Sequence, residues 1–304
     1  MRARVFILTL LAMIAFASNS LLCRAALRDT GIDAATFTFV RIFSGAITLW
    51  LILQTRGLRV DRTAAPLVDS SARSSPVTRH SSLESGDWIS ALALFAYAAA
   101  FSFAYNTLAA GTGALLLFGA VQATMILWGF QKGERLDAIQ IEGLIIAIGG
   151  LVVLVFPGIS APPLLGSILM LSAGLAWGVY SIRGKGASDA IAATTGNFLR
   201  AVPFAALVSV LAMRQMQLDA LGIAYAAISG AITSGLGYVI WYTVLPQIKA
   251  TSAAVVQLSA PVLVATGGIL LLSEPISLRY IIASIAVLGG IFLVIIERKS
   301  TSSA

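Results

Sequence analysis

Charge, cysteine and histidine are all scarce in this chain, and each shortage closes off a class of protein. Asp, Glu, Lys and Arg make up 11% of its 304 residues, against about 25% in soluble domains. With 58% apolar residues and a mean hydropathy of +0.92, a water-soluble fold could not hide its apolar surface. A bilayer can, because a hydrocarbon core of about 30 Å asks for roughly 20 consecutive apolar residues per helix. The single cysteine, Cys23, has no partner for an internal disulfide and lies in an apolar run as a small hydrophobe. The single histidine, His80, sits in a polar stretch with no cysteine or second histidine near it, so metal binding and histidine-based catalysis lack support. No G-x-x-x-x-G-K-S/T loop is present for an ATP-driven pump. Gly111-Thr112-Gly113 lacks the third glycine of a dinucleotide fingerprint and reads as a short connection between helices. No cofactor, metal or enzymatic reaction is expected. The net charge of +7 comes from basic residues scattered among loops, which is not the continuous stripe that nucleic acid requires.

What the chain does have is long apolar runs. They fall at about Val5 to Ala26, Ala34 to Leu53, Trp88 to Ala110, Ala114 to Phe130 and Ala138 to Phe156. A second set covers Leu164 to Ile182, Ala190 to Met213, Ala220 to Leu245, Ser252 to Leu272 and Ile276 to Ile296. Backbone groups in lipid must be satisfied within the segment, so these runs are expected to be helices. Arg2 and Arg4 ahead of the first run, with Ala15-Phe16-Ala17 inside it, resemble a secretory signal. The repeat described below needs this span, so it is expected to be retained. A cytoplasmic N-terminus would place fourteen Lys and Arg in the cytoplasmic loops and tails and four on the other side. The positive-inside rule therefore predicts that both termini are cytoplasmic. Gln54 to Asp87, rich in Ser and Arg, reads as a flexible cytoplasmic loop.

The two sets of spans are related. Arg24 and Arg183 are 159 positions apart, as are Phe39-Val40-Arg41 and Phe198-Leu199-Arg200. Glu134 and Glu274 are 140 apart, as are Gly149-Gly150 and Gly289-Gly290. One insertion, the long loop after the second span, reconciles both offsets. Five spans per half is an odd number, so the second half enters the membrane from the opposite side. The expected fold is an all-α membrane protein of ten transmembrane helices, in two inverted five-helix repeats at 1–156 and 157–304. Secondary transporters with this plan bind substrate near the midplane, between the repeats.

These features resemble the drug/metabolite transporter superfamily and its EamA-type branch of ten-helix proteins. The residues that carry the resemblance are Ala17-Ser18-Asn19 and Ala176-Trp177-Gly178 late in the first span of each half, Arg41 and Arg200, Ala260-Pro261, Glu134 and Glu274, and the glycine pairs. Val121 stands where Pro261 would predict a proline, which breaks strict symmetry of the fourth and ninth spans. Within the branch the chain looks most like bacterial amino-acid exporters of the YddG type. That resemblance implies alternating-access export of an amino acid, aromatic or otherwise neutral, across a bacterial inner membrane, with a small molecule and lipid as partners and a monomer as the unit. Other classes stay open: a channel, or a carrier of nucleosides, sugars or drugs.

Several side chains could line the path. Trp177 and Tyr180 share a helix face, and Asn19 falls near the equivalent point of the first span. Tyr238, Trp241 and Tyr242 form a second aromatic face, and Tyr105 and Gln257 add a hydroxyl and an amide. Trp88, Trp241 and Tyr242 also suit an interfacial belt. Arg41 and Arg200 lie too deep for lipid. Either could bind a substrate carboxylate or latch onto helix carbonyls; because both halves carry one, the latch is the expectation. Gly174 with Gly178, and Gly230 with Ser234, permit close helix approach. Pro203 and Pro261 are expected hinges. Glu134 and Glu274 precede the fifth and tenth spans and read as caps for those helices. No acidic residue lies near a span centre, so a buried proton relay is not expected.

Overall fold

A computed structural model describes residues 2–64, 85–133, 137–158, 161–185, 187–248 and 256–295. Among these residues there are ten helices and no strand. They are α1 (Arg2–Asp29), α2 (Ala34–Ala64), α3 (Trp88–Tyr105), α4 (Ala110–Gln131), α5 (Ala138–Val155), α6 (Leu164–Gly184), α7 (Ala190–Leu211), α8 (Ala220–Gln247), α9 (Ser259–Leu272) and α10 (Leu278–Ile295). All but the shorter α9 are long and apolar enough to cross a membrane. The protein is an all-α membrane protein. His80 and Glu134 lie outside the described residues, as does the middle of the expected loop.

The scarce acidic residues sit where helices begin. Asp33, Asp87, Asp137, Asp189 and Asp219 each accept a backbone N–H at the start of α2, α3, α5, α7 and α8. Each satisfies a donor that the first helical turn cannot pair. Partial burial pushes the Asp87 carboxyl up, but the Ser90 hydroxyl and amide and the Arg183 guanidinium outweigh it and hold the group below the usual carboxylate range. Its stabilisation is therefore complete at neutral pH and is lost only as the pH falls through that lowered value.

Three expectations change. Gly111-Thr112-Gly113 is not a connection but the first turn of α4, because residues 106–109 already make the bend. A Cβ at Gly113 would lie 2.5 Å from the Tyr105 ring, so these glycines serve close packing. The segment from Gln54 is not wholly loop: α2 continues to Ala64, the last described residue before Ser85. Pro203 stays inside an unbroken α7, whereas Pro261 stands in the first turn of α9, just after a break at Leu258. A proline is tolerated early in a helix because the first N–H groups have no partner to lose.

Packing relates the halves in a definite way. The larger helix contacts are α5 with α10, α2 with α7, α4 with α9, α3 and α4 with α6, α1 with α8 and α9, α2 with α8, and α3 with α7. Exchanging each helix for the one five places along turns this set into itself. The exchange is not exact, and it departs at several of the smaller contacts. Among the described residues α1 also touches α3 and α4, while the counterpart backbones, α6 against α8 and α9, stay apart.

Close crossings rest on small residues. A Cβ on Gly174 would sit 2.5 Å from the Ala120 Cβ, and one on Gly178 2.7 Å from the Thr124 Cβ. Gly230 abuts the Arg41 carbonyl and Ser44 of α2. Around it, residues 229–236 of α8 wind as a π-helix, a feature that often marks functional sites. Gly230→Ala should lower the melting temperature of the detergent-purified protein by the equivalent of about 1–3 kcal/mol, the usual cost of overpacking. Gly149→Ala, where nothing lies within 4 Å, should be neutral or slightly stabilising. Equal melting temperatures for the two variants would contradict this account of the α2–α8 crossing.

Candidate functional site

The bundle encloses a cavity. It measures about 340 Å³, lies among α1, α3, α4, α6 and α8, and runs out to the exposed Gly184 and Lys185 at the end of α6. That volume suits a small metabolite. Its walls are chiefly aromatic. Trp177 stacks on Tyr238 with centroids 5.5 Å apart and planes at 22°, and it meets Tyr97 at 4.7 Å. Phe16 packs against Tyr238 at 5.8 Å and edge-on to Trp241 at 6.0 Å. Such rings bury much area while keeping polar tips for contact.

At the deep end stands a polar network. Asn19 Oδ1 accepts from Ser229 Oγ at 2.5 Å and from Thr233 Oγ1 at 3.3 Å, and its Nδ2 donates to Tyr97 Oη at 3.4 Å. The π-helical segment presents Ser229 and Thr233 one turn apart towards α1. Arg41 Nη2 donates to the same Tyr97 Oη at 2.9 Å. The guanidinium is 3% exposed and lies over the rings of Phe101 and Tyr97, at 4.9 and 5.3 Å from their centroids. Its Nη1 finds no hydrogen-bond partner among the described residues. A buried charge with a hydroxyl and two ring faces, but no carboxylate, is poorly compensated.

Of the expected cavity residues, Asn19, Trp177, Tyr238 and Gln257 stand on its wall. Tyr180 is buried behind it, stacked on Trp177 at 5.3 Å. Arg41 is one ring behind the wall. Tyr105 is fully buried, its hydroxyl donating to the Ala110 carbonyl at 3.2 Å. Arg200 is remote from the network: its Nη1 donates to the Ser85 carbonyl at 2.7 Å, and its guanidinium lies 5.9 Å from the Trp88 ring centroid. Trp88, 59% exposed, fits a belt position, but Trp241 is 6% exposed and lines the cavity. Sequence reasoning passed over Tyr97 and Gln122. Each is an isolated polar group deep in an otherwise apolar span, which is the signal that would have found them.

The opposite end of the bundle is tied shut. Arg24 Nε pairs with Glu274 Oε1 at 2.9 Å, with side chains 14% and 9% exposed, and Arg24 Nη1 reaches the Tyr105 carbonyl at 2.9 Å. Glu274 Oε2 accepts the Ala110 N–H at 2.7 Å. Glu274 thus caps α4 and not the tenth helix that follows it, because the loop before α10 folds across the end of the bundle. Arg28 Nη1 adds a hydrogen bond to the Leu272 carbonyl at 2.6 Å. At the cavity mouth the counterpart arginine, Arg183, pairs instead with Asp87 at 2.8 Å and with Ser90 Oγ at 3.0 Å.

Known proteins give this geometry a context. The sequence profile of the EamA-like transporter family matches residues 164–296. The chain is 52% identical over 295 residues to an uncharacterized protein of Pseudomonas aeruginosa, covering 97% of this chain and 96% of that one. It is 23% identical over 267 residues to the uncharacterized transporter YoaV of Bacillus subtilis, covering 84% and 85% of the two chains. It is 27% identical over 195 residues to an uncharacterized transporter of Archaeoglobus fulgidus, covering 63% and 70%. A protein of known crystal structure aligns with a TM-score of 0.62 at 16% identity, covering 97% of this chain and 98% of that one, a likeness of fold alone.

Glu274→Ala should lower the melting temperature by the equivalent of about 2 kcal/mol, less than a fully buried pair because Arg24 keeps some solvent. The Arg24→Ala/Glu274→Ala double variant should recover part of that loss, since no orphaned charge remains. Additive losses would show that the pair is not coupled.

Proposed function

From the match of the EamA-like transporter family profile to residues 164–296 and the likeness to proteins named as transporters, we propose that the chain is a member of that family and a secondary exporter of small metabolites, amino acids with aromatic or other neutral side chains, working by alternating access. The observation that carries this reading is the cavity, which is open at one end and tied at the other. The exchange of helix contacts between the halves supports a two-fold relation, and five spans per half make that relation an inverted one. An inverted pair of halves has two conformations of comparable energy, one the mirror in function of the other. In the second conformation α1 would leave α3 and α4, and α6 would close on α8 and α9. The excess of Lys and Arg in the loops expected on the N-terminal side supports a cytoplasmic setting for the Lys185 end. The cavity is then inward-facing, and the Arg24–Glu274 contact closes the outer side of a bacterial inner membrane.

The aromatic walls suit a planar or apolar side chain, and the amides and hydroxyls of Asn19, Gln122 and Gln257 suit its polar head. Proteoliposomes loaded with labelled phenylalanine, tyrosine and tryptophan should show saturable efflux. Trp177→Ala should reduce it at least about tenfold, in keeping with the loss of a stacked aromatic contact. Non-saturating flux with measurable conductance would instead identify a channel, and failure to move any solute in a broad metabolite panel would overturn the reading.

The closure can be tested separately. In a Cys23→Ala background, Ser20→Cys places a thiol on the cavity wall. In right-side-out vesicles a membrane-impermeant maleimide should label it slowly, and adding Glu274→Gln should raise that labelling several-fold. Unchanged labelling would remove the ion pair from the gating scheme.

A further inference from the structure

The deep end of the cavity offers hydrogens and, among the described residues that line it, no anionic acceptor. A phenol oxygen carries two lone pairs and one hydrogen. Both lone pairs of Tyr97 Oη are taken, by Arg41 Nη2 at 2.9 Å and Asn19 Nδ2 at 3.4 Å. The Asn19 oxygen already receives the Ser229 hydroxyl at 2.5 Å, while the Thr233 hydroxyl is shared between it at 3.3 Å and the Ser229 carbonyl at 2.8 Å. The Tyr97 hydrogen is left to be given away, and Tyr97 lines the cavity. Arg41 behind it polarises the phenol further, because a hydroxyl that accepts from a cation is a stronger donor. Arg41 itself is buried with Nη1 unpartnered. Among the described residues that line the cavity there is no Asp or Glu, and Lys185 at the mouth adds a second positive charge.

An ammonium or other cationic head would meet only neutral oxygens and ring faces there, with a guanidinium one ring away. A carboxylate would receive the Tyr97 hydrogen and supply the counter-charge that Arg41 lacks. We infer that the cavity selects its solute by a carboxylate: the anionic group docks on the Tyr97 hydroxyl with Arg41 as counter-charge, and an apolar, flat remainder lies against Trp177 and Tyr238. An amino group on the solute adds nothing to this recognition. This assignment rests on the same cavity as the transport reading and narrows what the cavity takes; it excludes cationic amphiphiles, the usual chemistry of exported drugs.

Trp177 and Trp241 line the cavity and provide the readout, quenching of intrinsic fluorescence in the detergent-purified full-length chain. Three probes of nearly one shape separate the charges: phenylpropanoate, phenylpropanamide and phenylethylamine. Phenylpropanoate should bind at least about tenfold more tightly than the neutral amide, the scale of one charge-assisted hydrogen bond, and phenylethylamine should bind least. Tyr97→Phe should erase most of the preference for carboxylate over amide while leaving the amide's own affinity within a few-fold. Should Tyr97→Phe fail to fold, the order of the three probes on the unaltered chain decides the matter. An amine or amide that binds as tightly as the carboxylate, absence of binding by all three, or a folded Tyr97→Phe that keeps the full preference would each overturn the inference. The expected order without flux in proteoliposomes would leave this inference standing and remove the transport reading; saturable flux without that order would do the reverse.

Discussion

The Arg24–Glu274 ion pair sets the geometry of the molecule. One carboxylate neutralises α1, caps the first turn of α4 and fixes the loop before α10, while the arginine reaches on to the last carbonyls of α3. Four segments from both halves of the chain meet in a single contact. A buried pair contributes little net stability, because desolvation offsets most of the Coulombic gain. That weakness suits a closure that must come apart. If water enters as the end opens, both ions recover their hydration, so separation costs far less than orphaning either one in a dry interior. An apolar seal has no such compensation: everything it exposes is penalised by water.

The rest of the packing divides into parts that hold and parts that yield. In lipid there is no hydrophobic force between helices, so rigid crossings depend on small residues that bring backbones together. Gly174 and Gly178 on α6 against α4, Gly230 on α8 against α2, and Gly143 against Gly290 between α5 and α10 are contacts of this kind. Across the cavity the backbones are apart, and what bridges α6 and α8 is the stack of Trp177 on Tyr238. Offset rings tolerate sliding better than interlocked glycine faces do, since stacking changes slowly with lateral shift. The seam that these rings bridge is therefore the seam best able to move.

Much of this was legible in the residues. Hydropathy located all ten helices, whereas the aspartates that cap five of them were not singled out before the structure placed them. Asn19, Trp177 and Tyr238 were chosen from position in the span and chemistry, and the structure brings them together. What failed shares one cause. Inside a membrane both the lipid face and the core face of a helix are apolar, so periodicity says little about which neighbour a residue meets. Gly111 and Gly113 looked like turn residues because in water a glycine pair breaks a helix; in α4 they make room for Tyr105 and Tyr280. Glu274 looked like a cap for the helix it precedes, and its client is 164 positions away. Trp241 suited either an aromatic cavity face or an interfacial belt, and the fold turns it inward against Phe16. Partner identity is a property of topology, and local sequence does not contain it.

Topology also bears on what drives transport. A proton-coupled carrier needs a group that changes charge within the cavity, and among the described residues its wall holds no carboxylate or histidine. Arg41 keeps its proton throughout, since guanidinium groups do not titrate in the accessible range. In the proposed transport cycle the empty cavity would carry an uncompensated positive charge in both conformations, and a docked carboxylate would cancel it. Burying a lone charge is unfavourable, and burying a neutral pair with hydrogen bonds is much less so. Closure around the loaded cavity is accordingly easier than closure around the empty one. A carrier with that bias would move solute down its gradient and exchange one carboxylate for another faster than it returned empty.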